Sequence, residues 1–199
     1  MIAIAGPPGA GKSALAQALA RLLGEACVVD MDDYQRMTAL PPAQVADWLA
    51  RGADHDALPV PLLAEHLAAL KAGRPVRNPA SGATTMPART IVLETHFGRA
   101  HRATGAFIDC LLWLDTPADV ALARNLRAFI APWLAPQASA ADRLDGLLWL
   151  DAHLADHLGL VARLVALQRE RVRPGADLLV DPAASAEATL QQVLAKLAG

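Results

Sequence analysis

Residues 6 to 13 read GPPGAGKS, a complete G-x-x-x-x-G-K-[ST] run set between the apolar residues Ile2 to Ala5 and a helix-forming stretch that begins at Ala14. Gly6, Gly9 and Gly11 permit torsions and close approaches that a Cβ would block, so successive N–H groups can converge on phosphate oxygens. A helix entered at Lys12 turns its positive N-terminal dipole toward the same anion. Lys12 is placed to reach the β- and γ-phosphates, and the Ser13 hydroxyl to ligate Mg²⁺. The segment Gly6, Pro7, Pro8, Gly9, Ala10, Gly11, Lys12, Ser13 and Ala14 is therefore the expected binding site of a nucleoside triphosphate.

Carboxylates and arginines recur where such a nucleotide would need them. The apolar run Cys27 to Val29 ends in Asp30-Met31-Asp32-Asp33-Tyr34. A carboxylate there can take a proton from a substrate hydroxyl as it attacks the γ-phosphate, and Asp32 is the expected base; Asp32 or Asp33 could instead cap the next helix. Thr90 to Leu93 is a second apolar run, ending in Glu94, which could hold Mg²⁺ directly or through water beside Ser13. His96 and Arg99 follow it and either face the acceptor or open a short exposed helix. Arg124 and Arg127, three apart, share a helix face, from which one of them could neutralise the γ-phosphoryl charge as a lid closes. His153 and His157 are spaced i,i+4 without an H-E-x-x-H pattern, so a polar helix face is the expected reading.

Positioning these residues takes a parallel sheet. Five apolar runs, Ile2 to Ala5, Cys27 to Asp30, Thr90 to Glu94, Asp109 to Leu114 and Asp177 to Val180, alternate with helical stretches, the pattern of an α/β sheet covered on both faces. Helices are expected over Lys12 to Leu23, Ala43 to Ala50, Leu62 to Ala72, Pro117 to about Phe129, and Ser185 to Leu197. Arg74 to Arg89, rich in Pro, Thr, Ser and Gly, predicts a loop or irregular hairpin, and residues 128 to 142, with Pro132 and Pro136, predict a small mobile lid. Beyond it, Leu147, Leu150, Leu154, Leu158, Val161, Val165 and Val172 predict one apolar helical face from Arg143 to Val172. The four tryptophans fall in apolar contexts and are expected in the core.

The length of 199 residues fits a single domain with a lid, and 54% hydrophobic content is ample for its core. A formal charge of −2 argues against broad attraction to nucleic acid or anionic membrane, and with it against a hydrolase acting on nucleic acid. Two cysteines in apolar runs read as small buried thiols rather than a disulfide or metal framework. No stretch is long and apolar enough for a spanning helix, and the expected compartment is cytoplasmic.

An ordered series of segments resembles the uridine kinase, phosphoribulokinase and pantothenate kinase-like branch of the P-loop kinases. It consists of GPPGAGKS, Met31-Asp32-Asp33-Tyr34, Asp54-His55-Asp56-Ala57-Leu58, Leu67 to Val76, the Glu94 strand, Leu114 to Val120 and Ala176 to Val180. The third is similar to the family's D-H-P-x-A-F element with its proline missing. The resemblance implies a P-loop NTPase three-layer fold, with strand order 2-3-1-4-5, helices on both faces and a small lid. It also implies ATP as donor, Mg²⁺ at Ser13, Glu94 and Asp32, and lid charge from Arg124 or Arg127. The acceptor would be a small hydroxyl-bearing metabolite touched by Asp32, Tyr34, His55 and His96, with a homodimer as one assembly open to the chain. The sequence departs from that family at three places. Asn78 to Ala83 replaces an aromatic and acidic segment, Glu94-Thr95 stands for Glu-Gly, and Arg127-Ala128 stands for Arg-Asp. These departures leave a second reading open, a nucleotide-binding switch or adaptor that keeps the loop without acceptor chemistry.

Overall fold

Side chains of a strand alternate between the two faces of its sheet, and the apolar runs sort accordingly. In the computed structural model, which describes residues 1–35, 40–58 and 60–198, five parallel strands form one sheet. They are β1 (Ile2–Ala5), β2 (Ala26–Asp30), β3 (Thr90–Glu94), β4 (Cys110–Leu114) and β5 (Leu178–Val180), in the spatial order β2-β3-β1-β4-β5. Ala3, Ala5, Val29, Leu93, Leu111 and Trp113 point to one face, where Val45 and Trp48 of α2 (Pro42–Ala50) and Leu63, Leu67 and Leu70 of α3 (Pro61–Lys71) cover them. Ile2, Ile4, Val92, Leu112, Leu114 and Val180 point to the other, against Ala16 and Leu19 of α1 (Lys12–Leu23) and Leu190 and Val193 of α8 (Ala186–Ala198). This is the expected three-layer α/β arrangement, with the expected strand order.

The prolines that open α2 and α3 suit helix starts, where the missing N–H would have no partner. α1 stops at Gly24, whose φ of 72° lets its N–H turn back to the Ala20 carbonyl. Arg74 to Arg89 contains a two-stranded antiparallel hairpin, Val76–Arg77 with Thr84–Thr85, outside the main sheet. Its turn is built by Asn78, whose Oδ1 accepts from the N–H groups of Ala80 and Ser81, both at 2.9 Å. A short helix, α4 (Arg102–Gly105), and α5 (Ala118–Ile130) flank β4.

The expected single apolar face from Arg143 to Val172 is not continuous. The chain runs through α6 (Ala140–Asp156), a π-helical turn at His157–Val161 and α7 (Ala162–Arg171). A π turn carries more residues than an α turn, so the face is rotated across it. Leu158 in the turn is exposed, as is Leu147 of α6 before it, while Leu160, Leu164, Leu167 and Val172 reach the core. α7 is tied down from outside by Arg169 and Arg173, both paired with Asp115, and by Arg171, which donates to the Gly52 and Ala53 carbonyls.

The segment expected as a lid, residues 128–142, is largely helical, joining α5 to α6. α5 ends in a 3-10 turn, Ala131–Leu134, and α6 begins with a capping box in which the Ser139 and Asp142 side chains each bond the other's backbone N–H. Trp149 packs on Trp133, Phe129 and His153, and Phe129 also meets His153. These two tryptophans therefore pin the arm of α5 and α6 together instead of filling the core, where Trp48 and Trp113 lie. His153 stacks on Trp149 at 4.6 Å, a packing role that its spacing from His157 did not disclose. Among the described residues, no helix is long and apolar enough to cross a membrane.

Candidate active site

The C-terminal ends of β2, β3 and β1 lie side by side, and everything of chemical interest at this edge follows from that adjacency. The register sets Asp30 opposite Glu94 and Ile4 opposite Glu94, so the last residue of β3 is flanked by the second strand's carboxylate and by the strand that feeds the phosphate loop. In open α/β sheets this edge is the ligand-binding one.

The loop itself turns at Pro7, whose carbonyl accepts from the Ala10 N–H, and α1 opens with the Leu15 N–H bonded to the Gly11 carbonyl. Gly9 and Gly11 take φ values of 81° and 99°, in the left-handed region. Gly9 has a second constraint. A Cβ there would lie 2.0 Å from the Ala121 carbonyl oxygen and 3.0 Å from the Asn125 Cβ, so α5 packs directly against the loop backbone. The Thr116 hydroxyl, donating to the Ala10 carbonyl at 3.4 Å, ties the loop to the segment before α5.

Lys12 and Glu94 are only 6% and 7% exposed. The Lys12 Nζ donates to the Pro7 carbonyl at 3.3 Å and lies 3.9 Å from Glu94 Oε1. Burial lowers the Lys12 pKa, against the pull of Glu94, Asp32 and Asp30. Burial likewise raises the pKa of Glu94, and Asp30 beside it raises it further, while Lys12 and the Ser13 bond oppose that. Ser13 Oγ donates to Glu94 Oε1 at 3.1 Å. A hydroxyl and a carboxylate oxygen at this separation, with repelling carboxylates around them, form a hard-oxygen set that suits a divalent cation such as Mg²⁺. The residues present fit that ion.

Asp32 belongs to the 3-10 turn Met31–Asp33, which Asp30 caps by accepting the Asp32 N–H at 2.9 Å. Its Oδ1 lies 2.9 Å from His96 Nε2. Asp33 Oδ2 accepts from Asn78 Nδ2 of the hairpin turn at 2.6 Å, and the Tyr34 hydroxyl meets His66 Nδ1 of α3 at 3.0 Å. Burial, followed by the Asp33 charge, pushes the Tyr34 phenol up to about 12. The turn after β3 is held by the Thr95 hydroxyl, which accepts from the Phe97 and Gly98 N–H groups and donates to Met31 Sδ at 3.6 Å.

The structure thus brings together Lys12, Ser13, Asp32 and Glu94, with Tyr34 and His96 alongside. His55 lies away from these side chains, among aromatic rings. Its ring is buried edge-on to Trp48 and Phe97. Arg99 turns to the opposite edge of the sheet, where it binds Asp177 and the Gly175 carbonyl. Arg124 and Arg127 are exposed on α5, and among the described residues no hydrogen bond or ion pair joins them to the loop. Sequence reasoning missed Asp30, Asn78, His66 and Thr95 as parts of this edge. Asp30 was visible as the last residue of an apolar run; nothing local marks His66 or Asn78.

No known protein-family profile matches the chain. Among solved structures it is similar to a possible uridine kinase from Bacillus stearothermophilus, with a TM-score of 0.54 at 17% identity over 90% of this chain and 87% of that one. It is also similar to a sugar kinase from a Janibacter species, with a TM-score of 0.50 at 18% identity over 98% and 92%. A shikimate kinase from Acinetobacter baumannii aligns with a TM-score of 0.49 at 17% identity over 98% and 92%. At this identity the likeness shows the fold alone: the chain has the three-layer α/β fold of P-loop NTPases, with its five-stranded parallel sheet.

Proposed function

We propose that the protein is a kinase that transfers the γ-phosphoryl group of ATP to a hydroxyl of a small metabolite, of the nucleoside, sugar, pantothenate or glycerate type. One observation carries this reading: a buried lysine and a hydroxyl–carboxylate pair converge at the end of the phosphate loop, with a second carboxylate, Asp32, beside them. A nucleotide-binding module needs the first two features. The base is what phosphoryl transfer to an alcohol adds.

The loop amides and Lys12 bind and orient the phosphates. Ser13 and Glu94, with Asp32 beside them, would hold Mg²⁺, which when bound would supply charge neutralisation to the triphosphate. Asp32 accepts the proton of the acceptor hydroxyl as its oxygen forms a bond to the γ-phosphorus. The bond from that phosphorus to the bridging oxygen breaks, ADP leaves, and the proton passes from Asp32 to solvent. Arg124 or Arg127 reaches the transferring group when the arm of α5 and α6 closes, which also excludes water. Tyr34 bounds the acceptor pocket, and Asn78 and His66, bonded to Asp33 and Tyr34, fix its walls.

The test is ATP consumption against nucleosides, sugars, pantothenate and glycerate with an acceptor-free control, run for the wild type and Asp32→Asn. The expected result is acceptor-dependent ADP release that falls about 10²-fold or more in the variant while ATP affinity is unchanged. Acceptor-dependent turnover that is undiminished in Asp32→Asn refutes the assignment of the base. ATP binding with no acceptor-dependent turnover at all favours the nucleotide switch.

A further inference from the structure

We propose that His96 is a positioning residue for Asp32, holding the carboxylate in the orientation from which it takes the acceptor's proton, rather than a substrate contact. The inference rests on the reading of Asp32 as base. An ionised carboxylate can only accept, so in the 2.9 Å contact Nε2 carries the proton and donates to Asp32 Oδ1. That nitrogen is spent on Asp32.

The two partners differ in exposure, and the more buried one is the better anchor. The Asp32 side chain is 45% exposed, on a 3-10 turn; the His96 side chain is 16% exposed. The backbone on either side of His96 is fixed independently. Its carbonyl accepts from Gln168 Nε2 of α7 at 3.3 Å, and the next two N–H groups are taken by the Thr95 hydroxyl at 3.1 and 3.3 Å. Thr95 also reaches across to Met31, the residue before Asp32, so the turn after β3 grips the turn after β2 at two successive positions. α7 in turn is anchored by the Arg169 and Arg173 pairs to Asp115. A ring held this firmly fixes the direction from which Asp32 Oδ1 is hydrogen-bonded, and with it the carboxylate's orientation toward an acceptor hydroxyl.

The experiment compares His96→Gln, whose amide can still donate, with His96→Met, which has similar bulk and no donor. Both are placed in wild-type and Asp32→Asn backgrounds. Phosphoryl transfer from MgATP is measured to the most active acceptor of the panel above, and to water in its absence. His96→Met is expected to lower kcat about 10-fold with KM for ATP unchanged, and His96→Gln to restore it to within about 3-fold of wild type. In the Asp32→Asn background the Met substitution is expected to cost under about 2-fold more, because both changes act through one group. An equal loss in both backgrounds, a loss that appears in KM for ATP, or a Gln variant as slow as the Met variant overturns the proposal. The Gln variant alone decides if the Met variant does not fold: kcat as low as that of Asp32→Asn then refutes it, and near-wild-type kcat supports it. If Asp32→Asn itself is fully active, the reading of the base fails instead, a separate outcome.

Discussion

Replacing Gly9 and Gly11 by alanine, one at a time, separates two reasons for glycine in the same loop. Both residues have left-handed torsions, φ 81° and 99°, and an L-residue there costs roughly 1–2 kcal/mol. At Gly11 that is the whole cost in the ligand-free protein, because a Cβ meets nothing within 4 Å. At Gly9 the Cβ would lie 2.0 Å from the Ala121 carbonyl oxygen, a backbone atom that cannot rotate away. The loop and α5 must separate, which adds about 1–3 kcal/mol of overpacking. In a chain of this length each kcal/mol moves Tm by about 2–4 °C. Gly11→Ala is therefore expected to lower Tm by roughly 2–8 °C and Gly9→Ala by roughly 4–20 °C, with Gly9→Ala the more damaging in the same preparation. Thermal unfolding followed by circular dichroism, without nucleotide, reads both. If Gly11→Ala destabilises as much as Gly9→Ala, the packing of α5 on the loop contributes nothing and the reasoning is wrong.

Lys12→Ala removes a buried charge–phosphate contact worth about 1.5–3 kcal/mol, so ATP affinity should fall roughly 10- to 150-fold in calorimetric titration; unchanged affinity would remove the phosphate-loop assignment. A pH effect on stability is expected from His55 and His101, both buried around Phe97 and held by burial below the usual imidazole value of 6.5. Their contribution is complete above that value. As pH falls through about 6.5 the unfolded chain takes up protons that the folded protein refuses, and stability declines by up to about 1.4 kcal/mol per pH unit per imidazole. Urea midpoints between pH 7.5 and 5.5 should show this slope, shallower in His55→Phe; equal slopes in the two proteins would acquit His55.

Much of the fold was legible because its signals are local. Strand runs such as Ile2 to Ala5 and Asp109 to Leu114 are nearly all apolar, since a parallel strand buried on both faces leaves few positions for polar residues. The helix starts after Pro41 and Val60 and the stop at Gly24 follow from backbone chemistry that neighbouring residues carry. The run from Arg143 to Val172 was misread because a π turn leaves no composition mark and changes which leucines face inward. The packing of His55 was not legible because a motif gives its neighbours in sequence, whereas Trp48 and Phe97, which flank it, come from α2 and the turn after β3.

By itself, then, the sequence determined the phosphate loop, the parallel sheet and the carboxylates at strand ends, all set by torsional freedom, hydrophobic pattern and charge within a few residues. The tertiary structure decided the partnerships. Strand order puts Glu94 beside Asp30 and Ser13, and the two turns at that edge bring Asp32 to His96, residues 64 apart in the chain. It also gave Gly9 its second task, against a helix more than a hundred residues downstream. Distances and pKa shifts of this kind depend on which distant segments share a low-dielectric space, and only the packed chain specifies that.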